Sequence, residues 1–312
     1  MIKDNFISIG IVVHKKTSKS NVIDLHEILK TNFSYFEIIL IDFDNSIEKN
    51  NEFIGLKNIR ILELSSKVDI EDAYNSIIEN CIGDYLTIID INHDPVSSLL
   101  NFLENSIKYD VVIGKCIKKR DSITDLFFSN LFYSMISSLI GVKIDKKFSD
   151  YISLNRRVIN FIINKQEKVK YLKLSVLKER FSIFEFDYSP IGKKSYKRNL
   201  LSNINFSIDV LVSFSDKLIR IATILSLFAS IINLIYILYV LVIFFFKDDV
   251  IEGWASSNLY NSVIFFILFL VMSIIGEYLR VILKNQKRNN EYEIINERSN
   301  DSIMISGKNI DN

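Results

Sequence analysis

Short apolar runs of strand character alternate with apolar stripes of helical spacing over the first third of the chain. The strand-type runs are Phe6–Val13, Phe36–Ile41, Ile59–Leu64, Tyr85–Ile89 and Val111–Gly114. Between them, residues 22–29, 70–78 and 96–106 place apolar side chains three and four positions apart, which is typical of amphipathic helices. Strands that alternate with helices form parallel sheets with right-handed crossovers. The pattern predicts a doubly wound α/β domain that ends near Cys116.

The pattern changes after this domain. Residues 126–139 form a strongly apolar helical stripe with little charge, which suits either core burial or a helix lying in a membrane interface. Residues 181–188 alternate aromatic with acidic side chains and predict a strand with one wet face. Residues 201–220 predict an amphipathic juxtamembrane helix.

Two long uncharged stretches dominate the last third of the chain, at residues 221–246 and 253–276. Each exceeds the roughly 20 apolar residues that a membrane-spanning helix needs. Trp254 and Tyr260 are placed like interfacial aromatics. The sequence therefore predicts a two-helix transmembrane hairpin, with spans at 221–246 and 257–279 and an extracytoplasmic loop at 247–256.

The flanking charges predict the orientation of this hairpin. Lys217 and Arg220 precede the first span, basic residues follow the second, and the connecting loop is mainly acidic. By the positive-inside rule both termini are cytoplasmic. We expect no signal peptide, because Met1–Asn5 is short and polar. The prediction is a multi-pass protein of the inner (plasma) membrane, with residues 1–200 as a cytosolic domain and residues 280–312 as a basic, disordered cytoplasmic tail.

Composition narrows the function classes. The formal net charge is +1, so no overall basic field favours nucleic acid as a partner. The two cysteines, Cys81 and Cys116, show no metal-binding spacing and indicate a reducing compartment or simple burial.

Polar side chains follow the predicted strand Tyr85–Ile89, at Asp90, Asn92 and Asp94. Open α/β sheets bind ligands at the carboxyl ends of their central strands. Carboxylate and amide oxygens suit a hard divalent cation, and a cation suits a diphosphate. For Asp94 the favoured alternative is helix capping, because Asp94 followed by Pro95 is also typical of an N-cap and first helical residue. The sequence predicts a ligand site at Asp90 and a cap at Asp94.

The C-terminal third resembles a known family. Residues 252–288, EGWASSNLYNSVIFFILFLVMSIIGEYLRVILKNQKR, are similar to the second span of the bactoprenol glucosyltransferases, membrane-bound members of glycosyltransferase family 2 that are related to dolichyl-phosphate mannose synthase. SFSDKLIRIA at residues 213–222 resembles the start of the first span, and the likeness extends through SDYISLNRR to nearly the whole chain. The resemblance implies a GT-A fold, a nucleotide-sugar donor, Mg²⁺ or Mn²⁺, and a polyprenyl-phosphate acceptor.

The resemblance also implies a donor site, with some departures. The family's second strand ends in two adjacent aspartates; here Asp42 matches the first, Phe43 replaces the second, and Asp44 follows. Lys67 is assigned to the same donor site. The glutamate expected after the family's first strand is absent, since His14 and two lysines stand there.

The implied metal ligands are Asp90 and Asn92, which match a motif of two aspartates one residue apart. They also belong to the implied donor site, with Asn92 carrying one formal charge fewer than the family's residue. Asp150 matches the aspartate of a glycine-aspartate-phenylalanine segment, although Ile152 stands where an arginine is usual. Asp150 and Asp90 are therefore the implied catalytic residues.

The implied acceptor site is the basic loop around GKKSY, where Lys193, Lys194, Tyr196 and Arg198 would hold a lipid phosphate. Juxtamembrane basic residues also attract anionic lipids without any catalysis, and both roles can coexist. Self-association of the chain is a further implication of the resemblance.

Three functions follow. The first is an inverting glycosyltransferase that makes a lipid-linked monosaccharide on the cytoplasmic leaflet. The second is a catalytically degenerate homologue that acts as a membrane-anchored partner or regulator, which the departures at Phe43, Asn92 and Ile152 favour. The third, a transporter subunit, has little support because the spans carry no cluster of ionisable residues.

Overall fold

The structure is a computed structural model. It describes residues 5–14, 17–43, 56–64, 69–117, 123–164, 171–192, 194–196, 200–214 and 294–299, together with isolated helical positions at 228 and between 260 and 282.

The first half of the chain is the alternating pattern that the sequence predicts. In chain order it contains β1 (Phe6–Val13), α1 (Lys19–Asn32), β2 (Tyr35–Asp42), β3 (Ile59–Leu64), α2 (Ile70–Asn80), β4 (Tyr85–Ile88), a 3-10 turn (Val96–Ser98), α3 (Leu99–Ser106) and β5 (Val111–Cys116). The strands β1, β2, β3 and β4 are nearly continuous apolar runs because both faces of a parallel sheet are covered by helices.

The second half adds α4 (Ile123–Met135), a π-helical turn (Ile136–Ile140), β6 (Phe148–Asn155), α5 (Arg156–Asn164), α6 (Leu172–Leu177), β7 (Ile183–Tyr188) and α7 (Leu200–Phe214). The predicted domain boundary near Cys116 is wrong, because β6 and β7 are strands of the same sheet. The apolar pattern does not predict the strand β6, because half of its residues are polar.

Within the described residues, eight strands form one sheet in the order β7-β5-β6-β4-β1-β2-β3-β8, where β8 is Ile294–Ser299. The strands β4, β1, β2 and β3 are mutually parallel, and β5 is parallel to β7. The strand β6 lies antiparallel between β4 and β5. The predicted mixed α/β fold with a mostly parallel sheet is confirmed.

Each face of the sheet carries its own apolar core. In β2, Ile38 and Leu40 pack on the face covered by α1 and α3, while Ile39 and Ile41 pack on the face covered by α2, α5, α6 and α7. Alternate side chains of a strand point to opposite faces, so both faces of β2 need apolar residues. The apolar stripe of α4 joins the second core through its C-terminal turn, where Ile136 is fully buried. Core burial is therefore the role that the structure gives to this end of the stripe.

Two predictions concern the end of the chain. No helix in the described part of the chain has the length and hydropathy to cross a bilayer, and the predicted spans at 221–246 and 257–279 lie almost entirely outside that part. Residues 294–299 differ from the predicted disordered tail, because they form β8 and pair antiparallel with β3.

Candidate functional site

The candidate site lies at the edge of the sheet where the parallel strands β4, β1 and β2 end. Val13 and Asp42 are paired in the β1–β2 register, and Asp42 is buried. The strand β4 ends two residues before Asp90, whose turn begins at this same edge. Asp42 and Asp90 therefore follow neighbouring strands at the carboxyl edge, as the sequence predicts.

A tight turn after β4 fixes Asp90. The carbonyl of Asp90 accepts the backbone N–H groups of His93 at 2.9 Å and Asp94 at 2.7 Å. The Asp94 carboxylate accepts the Asp90 N–H at 2.9 Å, the Tyr188 hydroxyl at 2.6 Å and the His93 Nδ1 at 2.7 Å. Burial and the charge of Asp94 raise the pKa of Tyr188, so its hydroxyl stays protonated and donates. The predicted capping role of Asp94 is wrong: the turn at Val96 has Pro95 as its N-cap residue and no side-chain cap.

The carboxylate of Asp90 is held by Ser195. The Ser195 backbone N–H donates to Asp90 Oδ2 at 2.8 Å, and the Ser195 hydroxyl donates to Oδ1 at 2.6 Å. The Asn92 amide is engaged as well, because its oxygen accepts the Ser18 N–H at 3.1 Å and its nitrogen donates to the Ser195 hydroxyl at 3.1 Å. Donors from two other segments thus meet the oxygens of both predicted metal ligands.

Ser195 belongs to the loop at 191–196, whose residue 193 lies outside the described residues. The loop rests on the Asp90 turn, since the Ile191 N–H donates to the His93 carbonyl at 2.9 Å. A Cβ atom at Gly192 would overlap the carbonyl oxygen of Asn92, so the close approach needs a glycine. The loop is therefore seated on the turn along most of its length.

Three aromatic rings meet beside this contact. The Tyr196 ring lies parallel to the His14 ring, with a centroid separation of 5.7 Å and an interplanar angle of 16°. The Phe43 ring contacts both of these rings, and its centroid lies 4.9 Å from that of His14 and 5.6 Å from that of Tyr196. Because His14 follows β1 and Phe43 follows β2, the loop reaches over the ends of both strands.

Asp150, near the start of β6, forms ion pairs with two lysines. Because β6 runs antiparallel to β4, its beginning lies at the edge where β4 ends. Lys173 Nζ lies 2.8 Å from Asp150 Oδ1, and Lys194 Nζ lies 2.8 Å from Oδ2. Asp150 thus links Lys173 of α6 to Lys194 of the loop at 191–196.

The two lysines decide the charge of Asp150. Burial raises the pKa of its carboxyl, but the charges of Lys173 and Lys194 and their hydrogen bonds outweigh burial and hold the pKa well below its usual value. Partial burial lowers the pKa of Lys194, but the charge and hydrogen bond of Asp150 and the charge of Asp94 outweigh this effect, so the net pKa is above the usual lysine value. At neutral pH Asp150 is therefore an anion paired with two lysines, and it is a weak base.

The predicted site residues fall into two groups. The structure places these around the carboxyl edge of the sheet: Asp42, Asp90, Asn92, Asp150, Lys194 and Tyr196. These lie outside the described residues: Asp44, Lys67, Lys193 and Arg198. The loop joins the predicted metal, catalytic and acceptor residues, because Ser195 contacts Asp90 while Lys194 contacts Asp150.

Sequence reasoning missed Lys173 and the contact of Ser195. Lys173 lies in a stretch with no motif, and its burial comes only with the folded helix α6. Ser195 stands within the predicted acceptor loop, but nothing in its spacing from Asp90 indicates contact across 105 residues. His14 stands where the resemblance expects other residues, and its ring forms part of the site.

The chemistry of Asp90 and Asn92 fits a hard divalent cation, because a carboxylate and an amide oxygen are ligands that Mg²⁺ and Mn²⁺ accept. These oxygens now accept hydrogen bonds from Ser195 and Ser18, so a cation would have to compete with such donors for their lone pairs. In the described part of the chain no cluster of three or more His, Cys, Asp or Glu residues is arranged to hold a metal. A cation here would therefore need ligands from its substrate or from water.

Comparison with known proteins gives related sequences of one class. No protein-family model matches the chain. CsbB of Bacillus subtilis, named as a glycosyltransferase, is 23% identical over 90% of this chain and 89% of its own length. YkcC of the same organism, named as an uncharacterized glycosyltransferase, is 22% identical over 82% of each chain. The prediction of a glycosyltransferase enzyme is confirmed at the level of this class.

Solved structures of similar fold include glucosyl-3-phosphoglycerate synthase from Mycobacterium tuberculosis, in complex with Mn²⁺, UDP-glucose and phosphoglyceric acid. It is 12% identical, with a TM-score of 0.45, over 67% of this chain and 78% of the synthase chain.

Proposed function

We propose that this glycosyltransferase is a membrane-bound inverting enzyme of GT-A fold, which moves a sugar from a nucleotide sugar to polyprenyl phosphate on the cytoplasmic leaflet of the plasma membrane. The observation that carries the proposal is the loop at 191–196, where Ser195 lies on the candidate cation ligand Asp90 and the adjacent Lys194 lies on Asp150. A site for a diphosphate and a site for a second anion would thus be neighbours. The hydrophobic stretches at 221–246 and 257–279 support a membrane anchor, and their likeness to the family's spans supports the lipid acceptor and self-association.

The donor would bind along the carboxyl edge. Asp42, at the end of β2, would contact the nucleoside, and Asp90 with Asn92 would hold Mg²⁺ or Mn²⁺ on the diphosphate. When bound, the cation would stabilise the charge of the departing diphosphate. The rings of His14, Phe43 and Tyr196 lie at the same edge and would exclude water from the nucleotide.

The acceptor would bind on the loop side. A phosphate monoester has a second pKa of about 6, so its oxygen is already anionic at neutral pH and needs no base. This agrees with Asp150, because its depressed pKa makes it a poor proton acceptor. Lys194, 42% exposed, is a cation that can reach an incoming phosphate.

The reaction would exchange one bond for another. An oxygen of the acceptor phosphate attacks the anomeric carbon, and the bond from that carbon to the diphosphate breaks. The nucleoside diphosphate leaves with the electron pair. Attack from the opposite face inverts the anomeric centre, and no proton has to be removed from the phosphate dianion.

The test is transfer of label to lipid. Membranes that contain the full chain are incubated with Mn²⁺, polyprenyl phosphate and each common radiolabelled nucleotide sugar. We expect chloroform-soluble label with one donor, and its loss in Asp90→Asn. Asp84→Asn is the matched control, because Asp84 precedes the same strand at the opposite edge and binds the Phe6 N–H. Absence of lipid-linked label with every donor rejects the proposal.

A catalytically degenerate partner protein is the second candidate, favoured by the hydrogen bonds that Ser195 makes to both oxygens of Asp90. Calorimetric titration of UDP and GDP with and without Mn²⁺ separates the two. An enzyme shows metal-dependent binding of one nucleotide, whereas a degenerate homologue shows none.

A further inference from the structure

Lys173 is a buried lysine that contacts the candidate site from inside the protein. Its side chain is 9% exposed, and its Nζ lies 2.8 Å from Asp150 Oδ1. The same Nζ donates to the Phe148 carbonyl at 3.4 Å and lies 5.6 Å from the centroid of the Tyr171 ring. A buried ammonium is costly unless it is paired, so Asp150 is the group that compensates it.

The helix that carries Lys173 is fixed by its surroundings. Its N-cap residue, Tyr171, is buried and packs edge-on against Phe206 with a centroid distance of 5.5 Å. The Leu172 N–H donates to the Glu71 carboxylate of α2 at 3.3 Å. The backbone of Lys173 is therefore held in place by the packing of α6.

Lys194 approaches the same carboxylate from the other side, and its circumstances differ. Its side chain is 42% exposed, against 9% for Lys173, and it belongs to a loop rather than to a packed helix. The two ammonium groups share the single carboxylate of Asp150. Of the two lysines, Lys194 is the one that can exchange Asp150 for another anion.

We propose that Lys173 is a positioning residue for the acceptor, which keeps Asp150 ionised and in place when Lys194 turns from Asp150 to an incoming phosphate. This inference rests on the proposed function and names a residue outside the motifs of the site. Without Lys173, departure of Lys194 would leave a partly buried carboxylate with no cation, and Asp150 would take up a proton. With Lys173 in place, Asp150 remains an anchor to which Lys194 returns after transfer.

Other ionisable groups face this cluster. Tyr133 of α4, Asp150 and Glu71 of α2 act on Tyr171, and Asp94 and Tyr133 act on Lys194. Burial and the nearby charges raise the pKa of Tyr171 well above its usual value, so this phenol stays neutral in the experimental range. All of these groups are kept in the variants at residue 173. The ratio of a variant's acceptor KM to the wild-type KM therefore reports on Lys173.

The test compares Lys173→Met with Lys173→Arg in the full chain, in detergent micelles that contain undecaprenyl phosphate. Lys178→Met is the control, because Lys178 lies at the end of the same helix and is exposed. We expect the acceptor KM to rise about 10-fold to 100-fold in Lys173→Met, which is the effect of one charge-assisted hydrogen bond. The donor KM should stay unchanged, and Lys173→Arg should restore most of the loss because it keeps the charge.

The pH profile distinguishes positioning from loss of structure. In Lys173→Met, acceptor binding should be coupled to proton uptake by Asp150, and such binding is favoured as the pH falls. The ratio of the variant's acceptor KM to that of the wild type should therefore shrink as the pH falls from about 7 toward about 5. A structural defect gives a constant ratio and changes the donor KM as well.

The outcomes separate this inference from the proposed function. An active wild type whose acceptor KM is the same in Lys173→Met and Lys178→Met overturns the role of Lys173 alone. A wild type that transfers no sugar to polyprenyl phosphate overturns both. Lys173→Gln, which also lacks the charge but can still donate to Asp150, gives the same pH comparison if the Met variant does not fold.

Discussion

Ser195 donates its backbone N–H and its hydroxyl to the two carboxylate oxygens of Asp90, at 2.8 and 2.6 Å. The donors of Ser195 therefore use one lone pair on each of the oxygens that would ligate a divalent cation. Together with the Asn92 N–H on Oδ1, they use three of the roughly four lone-pair sites of this carboxylate, so a cation has to compete with Ser195 for these oxygens. Movement of the loop at 191–196 away from Asp90 would thus favour binding of a metal nucleotide there.

This competition predicts that Ser195→Ala binds Mn²⁺ more tightly than the wild type. The substitution removes the hydroxyl's hydrogen bond to Asp90 and leaves the backbone N–H. The expected gain is about 10-fold, the lower end of the range for a hydrogen bond to a charged group, because the backbone N–H stays in place. Titration of the purified chain with Mn²⁺, followed by electron paramagnetic resonance of free Mn²⁺, measures it. Weaker binding in Ser195→Ala would mean that the hydroxyl supports the cation, which contradicts competition.

Gly192 provides a second way to loosen the loop. A Cβ at this position would overlap the Asn92 carbonyl oxygen, so Gly192→Ala should push the loop away from the turn. We expect faster hydrogen–deuterium exchange at residues 191–196 and a gain in Mn²⁺ affinity. Gly141→Ala is the control, because Gly141 has open space around it but a φ of 84°, so alanine should lower stability by about 1 kcal/mol without changing the loop. Equal exchange of the loop in both variants would show that it is not seated through Gly192.

The sequence predicted the strands that are buried on both faces. Phe6–Val13 and Ile59–Leu64 have the predicted bounds, because a covered parallel strand needs apolar residues at almost every position. It missed Phe148–Asn155, where polar side chains interrupt the pattern. Ser153 is buried there because its hydroxyl accepts a hydrogen bond from Thr87 at 2.9 Å, a partner that the local pattern does not show.

The sequence predicted which strand ends form the candidate site. It did not predict the contacts between the side chains there. Asp90 could be found because a polar residue after a central strand lies at the ligand-binding edge. The pairing of Lys194 with Asp150 spans 44 residues, and the packing of β6 against β4 brings them together. Lys173 could not be found, because burial of a lysine becomes visible only when its partner is in place.

Asn92 is expected to limit the cation affinity of the site. Its amide oxygen can ligate a cation but lacks the charge of a carboxylate, so Asn92→Asp should bind Mn²⁺ about 10-fold more tightly. The same change removes the amide hydrogen bond from Asn92 to the Ser195 hydroxyl, which should also release the loop. Calorimetry with Mn²⁺ measures the change, and Asn101→Asp on the exposed face of α3 is the control. Unchanged affinity in Asn92→Asp would exclude residue 92 as a ligand.

Asp150 predicts a pH dependence of stability. Its pKa in the folded protein is depressed below the unfolded value of about 3.9, so its contribution to stability is fully present above that pH and is lost as the pH falls through the folded pKa. In acid the wild type should therefore lose stability more steeply than Asp150→Asn. Melting temperatures from about pH 5 down to about pH 2 test this, because the loss begins only near the unfolded pKa, with Asp187→Asn at an exposed position of β7 as the control. Parallel curves for the wild type and Asp150→Asn would contradict the ion pairs.

Tyr188 is expected to hold the Asp90 turn through its hydrogen bond to Asp94. The Tyr188 hydroxyl donates to the buried Asp94 carboxylate at 2.6 Å, so Tyr188→Phe leaves that carboxylate one donor short. The expected loss is about 1–3 kcal/mol in the free energy of unfolding, the cost of an unsatisfied buried group. Tyr109→Phe is the control, because the Tyr109 ring stacks on Phe184 of the same strand and the substitution keeps that contact. Chemical unfolding of the full chain in detergent, followed by far-UV circular dichroism, gives the free energy of unfolding of both variants. A Tyr188→Phe protein as stable as Tyr109→Phe would show that the Asp90 N–H and His93 satisfy Asp94 without Tyr188, and the turn would then not depend on β7.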